Sequence, residues 1–133
     1  MVLKSDGSGF SILVTDDDPS FRQSLRTLFE PQGFETLEAT SGEEAIEIVE
    51  TANIHLVTLD LYLPRIDGLE TLRIVKQIKD FLPCIIVTAS ADDRLMRQAL
   101  SARAFSVLSK PVSKPLILNT VHRALRRSIG PVQ

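Results

Sequence analysis

An α/β fold is predicted for this chain: a three-layer sandwich in which a five-stranded parallel sheet, doubly wound, is covered on both faces by five helices. Three observations predict it. Five short apolar runs alternate with five segments whose apolar residues recur at helical spacing. The runs are nearly continuous in apolar residues, as strands buried on both faces are. Four of them end on residues able to do chemistry, at the edge where an open parallel sheet forms its ligand crevice. With 133 residues, 44% apolar and 24% charged, the chain is one domain with enough apolar material for a core.

Residues 1–9 contain Ser5, Gly7, Ser8 and Gly9 and read as a flexible lead-in. The first strand covers 10–15. Asp18 and Pro19 then open a helix, because Asp caps free N–H groups and Pro is tolerated in a first turn. Phe21, Leu25, Leu28 and Phe29 share one face of it, and Pro31 and Gly33 end it. A second strand over 34–39 precedes Ser41 and Glu44, which have the spacing of a capping box, and a stripe of Ala45, Ile46, Val49 and Ala52. Leu56, Val57 and Leu59 make the third strand, closed by Asp60.

Asp67 and Gly68 read as a turn and helix start, followed by the stripe Leu69, Leu72, Val75 and Ile78. The fourth strand runs from Cys84 to Val87 and closes on Thr88. Asp92 and Asp93 read as cap and surface, and Leu95, Met96, Ala99 and Leu100 as the fourth helix. The fifth strand covers 104–108 and ends near Lys110. Ser113 and Pro115 open a last helix with the stripe Leu116, Ile117, Val121 and Leu125, and 129–133 form a tail or the start of a linker.

The strand ends carry Asp16, Asp17, Asp60, Thr88 and Lys110. Converging carboxylates repel at low effective dielectric unless a cation or a proton intervenes. An all-oxygen set without a Cys/His cluster suits Mg²⁺ and not zinc. A divalent cation, an ammonium and a hydroxyl around one carboxylate make a pocket for a phosphoryl group. Asp60 would be its nucleophile, forming an acyl phosphate.

The stretches ILVTDDDPSFR, LDLYLPRIDG, IIVTAS and VLSKPV stand in an order and spacing that resemble a response-regulator receiver domain of two-component signalling, from about Phe10 to about Arg127. The resemblance implies a flavodoxin-like sheet of order 2-1-3-4-5 and a receiver domain over 10–128. It implies that Asp60 accepts a phosphoryl group from a sensor histidine kinase or a histidine phosphotransfer protein. Asp16 then holds Mg²⁺ largely through water, while Asp17, Asp60 and the backbone carbonyl of Tyr62 hold it directly. Thr88 matches the switch hydroxyl, Lys110 the lysine that pairs with the phosphoryl group, and Pro111 the proline that follows it, usually across a cis bond. Such a domain catalyses its own phosphorylation and dephosphorylation and is not a conventional enzyme. Its effector, or a homodimer partner, docks on the face of the fourth helix, fifth strand and fifth helix.

Two positions depart from the family's pattern. Val107 stands where an aromatic switch residue is usual, so the expected route for switching is the loop from Ala89 to Asp93 and the helix after it. Arg103 stands where Gly is favoured, and a differently built turn is expected there. A receiver-like interaction module with phosphate-independent output is the alternative these two positions suggest.

Other classes fit less well. A phosphatase of the haloacid-dehalogenase type wants an Asp where Tyr62 stands, and FMN or P-loop nucleotide binding lacks its phosphate-cradling loop. A net charge of -2 gives no general attraction to nucleic acid or an anionic membrane. Arg123, Arg126 and Arg127 read as a solvated helix end. Cys84, the one cysteine, reads as a core residue. His55 and His122 have no partner pattern. No signal peptide or run of about eighteen apolar residues is present, and a cytoplasmic location without nucleic-acid or membrane contact is expected.

Overall fold

Five short polar side chains set where the helices begin. Asp18, Ser41, Asp67, Asp92 and Ser113 stand just ahead of them, and each accepts a hydrogen bond from a first-turn N–H at 2.8–3.2 Å. These bonds satisfy donors that have no partner inside a helix. In the computed structural model, which describes residues 9–128, the elements follow as β1 (Ser11–Thr15), α1 (Pro19–Phe29), β2 (Glu35–Ala39), α2 (Gly42–Thr51), β3 (Leu56–Leu59), α3 (Gly68–Ile78), β4 (Cys84–Thr88), α4 (Asp93–Ser101), β5 (Ser106–Ser109) and α5 (Lys114–Ser128). A short 3-10 turn over Glu30–Gln32, with Gly33 at φ 95°, leads from α1 to β2. The lead-in expected over 1–9, except Gly9, and the tail over 129–133 lie outside the described residues.

All strand pairs are parallel, in the order β2-β1-β3-β4-β5. Alternation along the strands divides the core between the two faces of the sheet. Leu13, Val57, Leu59 and Ile86 pack with Ala45, Val49, Leu72, Val75 and Ala99 of α2, α3 and α4. Ile12, Val14, Leu56, Ile85 and Val87 pack with Leu25, Phe29, Ile117 and Val121 of α1 and α5. The expected three layers and five strand–helix pairs are present.

Several local expectations are corrected. In the capping box Glu44 does not return to Ser41; its carboxylate accepts from the N–H and hydroxyl of Thr40, one residue earlier. Ile78, Leu100 and Leu116 lie in their expected helices but are exposed. Lys76, in contrast, is buried on α3, its ammonium donating to the carbonyls of Asp80 and Leu82 at 3.1 and 2.7 Å. The turn after α4 is not built differently for want of glycine. Arg103 itself takes φ 72°. Its N–H donates to Leu100 and that of Ala104 to Ala99, which is the bonding of a Schellman cap, and its guanidinium pairs with Asp80. Among the described residues no helix is long and apolar enough to cross a membrane.

Candidate functional site

The register of the sheet brings distant residues to one edge. Thr15 is level with Leu59, and Thr88 with Ser109, so Asp16, Asp60 and Lys110 each stand one residue beyond a strand. Main-chain bonds extend the ladder past the strand ends: Asp16 N–H donates to Ala39, Asp60 N–H to Thr15 at 3.2 Å, and Lys110 N–H to Thr88 at 2.9 Å. The order places β1 between β2 and β3, at the point where the winding reverses and open α/β sheets bind ligands.

Asp60 is 7% exposed, and every oxygen of its side chain has a partner. Oδ1 accepts from the Thr88 hydroxyl at 2.8 Å and from the Tyr62 N–H at 3.0 Å. Oδ2 accepts from the Lys110 ammonium at 3.0 Å. The same ammonium donates to Asp16 Oδ2 at 2.7 Å, while Asp16 Oδ1 accepts from the Asp18 N–H. Lys110 therefore bridges two buried carboxylates. Burial pushes the Asp16 carboxyl above its ordinary pKa against the pull of Lys110. Burial also works against the Lys110 ammonium, but hydrogen bonds to Asp16 and Asp60 outweigh it and hold its pKa up. The two shifts differ in cause: burial raises the Asp16 carboxyl, and pairing with two carboxylates raises the Lys110 ammonium.

Of the sequence-predicted set, Asp16, Asp60, Thr88 and Lys110 are brought together. Asp17 lies exposed beside them. Lys110 and Pro111 are joined by a cis bond. Ala89 follows Thr88 at the start of the loop to α4, and Val107 is half-buried on β5 against the α2–α3–α4 side of the core. Among the described residues no group of three or more His, Cys, Asp or Glu is gathered to hold a metal. Asp16 and Asp60, with Asp17 at the rim, still fit Mg²⁺, which is held by one or two carboxylates and keeps much of its water.

Sequence reasoning passed over four contributors. The Phe21 ring lies under the Lys110 ammonium, 4.1 Å from ring centre to nitrogen, and was legible only as a member of the α1 stripe. Arg22 donates to the Asp16 carbonyl at 2.8 Å and to Glu38 at 2.9 Å. Gly68 lets the head of α3 approach the Asp60 main chain, where an added Cβ would overlap the Asp60 carbonyl oxygen. The Tyr62 hydroxyl donates to the Ser90 carbonyl at 3.1 Å.

The histidines are structural. His55 Nδ1 accepts from the Ser11 N–H and its ring meets the edge of Phe10, and His122 lies against Phe34. Cys84 is fully buried, which pushes its thiol up to about 12.

The sequence model of the response regulator receiver domain matches residues 12–122. The chain is 31% identical over 117 residues to response regulator RR06 of Streptococcus pneumoniae, covering 88% of this chain and 54% of that protein. It is 33% identical over 117 residues to the alkaline phosphatase synthesis transcriptional regulatory protein PhoP of Bacillus subtilis, covering 88% and 49%. It thus spans about half the length of these relatives. Among solved structures, it is similar to a chain of the CheX-CheY-BeF3-Mg+2 complex from Borrelia burgdorferi, with TM-score 0.88 and 25% identity over 94% of this chain and 100% of that one. A receiver domain protein from Methanospirillum hungatei matches with TM-score 0.87 and 26% identity over 90% and 96%.

Proposed function

The chain belongs to the response regulator receiver domain family of two-component signalling, and on that premise we propose that Asp60 accepts a phosphoryl group from a sensor histidine kinase or a histidine phosphotransfer protein. Receiver domains are not conventional enzymes; they act on an aspartate of their own. The observation that carries the proposal is the pair of donors on one carboxylate: the Thr88 hydroxyl on one oxygen of Asp60 and the Lys110 ammonium on the other. A buried carboxylate with those donors is oriented and already provided with groups that can turn to phosphoryl oxygens.

In the proposed step an Asp60 oxygen attacks phosphorus, the new O–P bond forms, and the N–P bond of the phosphohistidine breaks. Its electron pair returns to the imidazole nitrogen, which takes up a proton. Lys110 moves its donated bond from the carboxylate to the phosphoryl group, and Thr88 does the same from the other side. Asp16, Asp17, Asp60 and the Tyr62 carbonyl would hold Mg²⁺, which when bound supplies positive charge against the phosphoryl oxygens. Arg22 and Phe21 fix Asp16 and Lys110 from behind.

Leu100 on α4 and Leu116 on α5 are half exposed, which supports the α4–β5–α5 face as the surface for an effector or a second copy. A cytoplasmic location accords with such a partner set. The phosphate-independent alternative loses one of its two supports, since Arg103 takes the backbone conformation glycine would take. The test is labelling by a small acyl phosphate or a phosphohistidine donor with Mg²⁺, read by intact mass. One phosphoryl group is expected on the native chain and none on Asp60→Asn. Unchanged labelling of that variant would overturn the assignment.

A further inference from the structure

Two hydrogen bonds from different loops end on the same oxygen. Asp60 Oδ1 holds the Tyr62 N–H from the loop after β3 and the Thr88 hydroxyl from the end of β4. The same two loops are joined a second time, further out, by the Tyr62 hydroxyl donating to the Ser90 carbonyl. The four groups form a closed circuit. It runs from Asp60 through the Tyr62 main chain and ring to Ser90, back through Thr88, and to Asp60 again.

We propose that Tyr62 is a positioning residue whose hydroxyl ties the loop after β4 to the loop after β3 while Asp60 is unmodified, and that modification of Asp60 opens the tie and frees the head of α4. The inference rests on the proposed function and adds the part that carries its effect outward. An acyl phosphate removes the charge of the Asp60 carboxylate, so whichever oxygen is esterified, Oδ1 becomes a weaker acceptor for the Tyr62 N–H and the Thr88 hydroxyl. Phosphoryl oxygens are stronger acceptors and draw the Thr88 hydroxyl toward them. Thr88 is two residues from Ser90, so the carbonyl that Tyr62 grips is displaced with it.

What the tie restrains is lightly held. Only Ala99 of α4 is fully buried, Leu95 and Met96 are half-buried, and Leu100 is exposed. The helix is fixed at its head by Asp92, which accepts from the N–H groups of Leu95 on its carboxylate and Met96 on its carbonyl. An open hollow of about 340 Å³ beside Tyr62, lined also by Ala89, Ser90, Ala91, Asp92 and Ser109, gives this loop room to move. Val107 on β5 is short and stiff about its first torsion, and it cannot follow such a displacement, whereas a phenol on a loop can.

The test compares amide exchange in the native chain and in Tyr62→Phe, which keeps the ring and removes the hydroxyl. Without any phosphoryl group, the amides of residues 89–96 are expected to exchange about threefold to tenfold faster in Tyr62→Phe, the effect of one net hydrogen bond. Beryllofluoride with Mg²⁺ should raise exchange in the same segment of the native chain and add little to the variant. Equal exchange of the two unmodified proteins, or a full beryllofluoride response in Tyr62→Phe, would overturn the proposal. The chain has one tyrosine and no tryptophan, so near-ultraviolet absorbance reads the same phenol in the native protein. Beryllofluoride should shift that absorbance to that of a phenol in water, and no shift would count against the tie opening. Absence of a bound-fluoride resonance would instead overturn the proposed function and with it the release, while the two unmodified proteins would still decide whether the tie exists.

Discussion

Replacing Gly68 by alanine tests whether the head of α3 positions Asp60. The Gly68 N–H donates to the Leu61 carbonyl at 2.8 Å, and a Cβ built on Gly68 would overlap the Asp60 carbonyl oxygen. It would also stand 2.5 Å from Leu61 Cα and 2.8 Å from the Asp60 carbonyl carbon. Every one of these atoms is main chain, so no rotamer change relieves the overlap, and either α3 or the Asp60 turn must shift. Overpacking of this kind costs about 2–3 kcal/mol, near the upper end of its usual range, which in a domain of this size lowers the unfolding midpoint by roughly 5–15 °C. Because the displaced atoms belong to Asp60 itself, labelling of that residue should slow by at least about tenfold. Gly42→Ala is the control. Its Cβ would overlap the buried Thr71 hydroxyl and press on the Ile66 Cγ1 and Cδ1 at 2.9 and 3.0 Å, all of them side-chain atoms, so a loss of about 1–3 kcal/mol with unchanged labelling is expected. Chemical denaturation and time-resolved intact mass measure both quantities. Gly68→Ala with native stability and native labelling would refute the reasoning.

Two further outcomes are expected. Arg103→Gly removes the strain of a side chain at φ 72° but also an exposed ion pair with Asp80, so stability should rise by at most about 1 kcal/mol; any loss in urea unfolding would mean the ion pair outweighs the turn. Cys84 should resist a thiol reagent at neutral pH until the chain unfolds. Its folded pKa of about 12 lies above the ordinary 9.0, so its contribution is intact below pH 9 and is lost as the unfolded chain alone releases the proton, by up to about 1.4 kcal/mol per pH unit between 9 and 12. Neighbouring Lys76, whose pKa burial lowers, acts with the opposite sign, and the difference in slope between the native chain and Cys84→Ala isolates the thiol. Equal slopes would contradict its burial.

The strands, the helix starts and the residues at the strand ends were determined by the sequence alone, because each depends on neighbours a few positions away. Asp18, Ser41, Asp67, Asp92 and Ser113 cap donors within their own first turns, and apolar spacing distinguishes strand from helix without reference to the rest of the chain. Burial was legible only on average: one helical spacing includes Val75 and Val121, which are in the core, and Ile78 and Leu116, which are exposed, since helix ends extend past the sheet. The bonding of the site was decided by tertiary structure. Lys110 reaches Asp16 across 94 positions and Asp60 across 50, and the Tyr62 and Thr88 bonds each span 28. Such pairings are set by strand order and register. Sequence could supply the chemical groups, but which oxygen of Asp60 faces Thr88 and which faces Lys110, and that Asp17 stays at the rim, depended on how the β1, β3, β4 and β5 ends align when both faces of the sheet are buried.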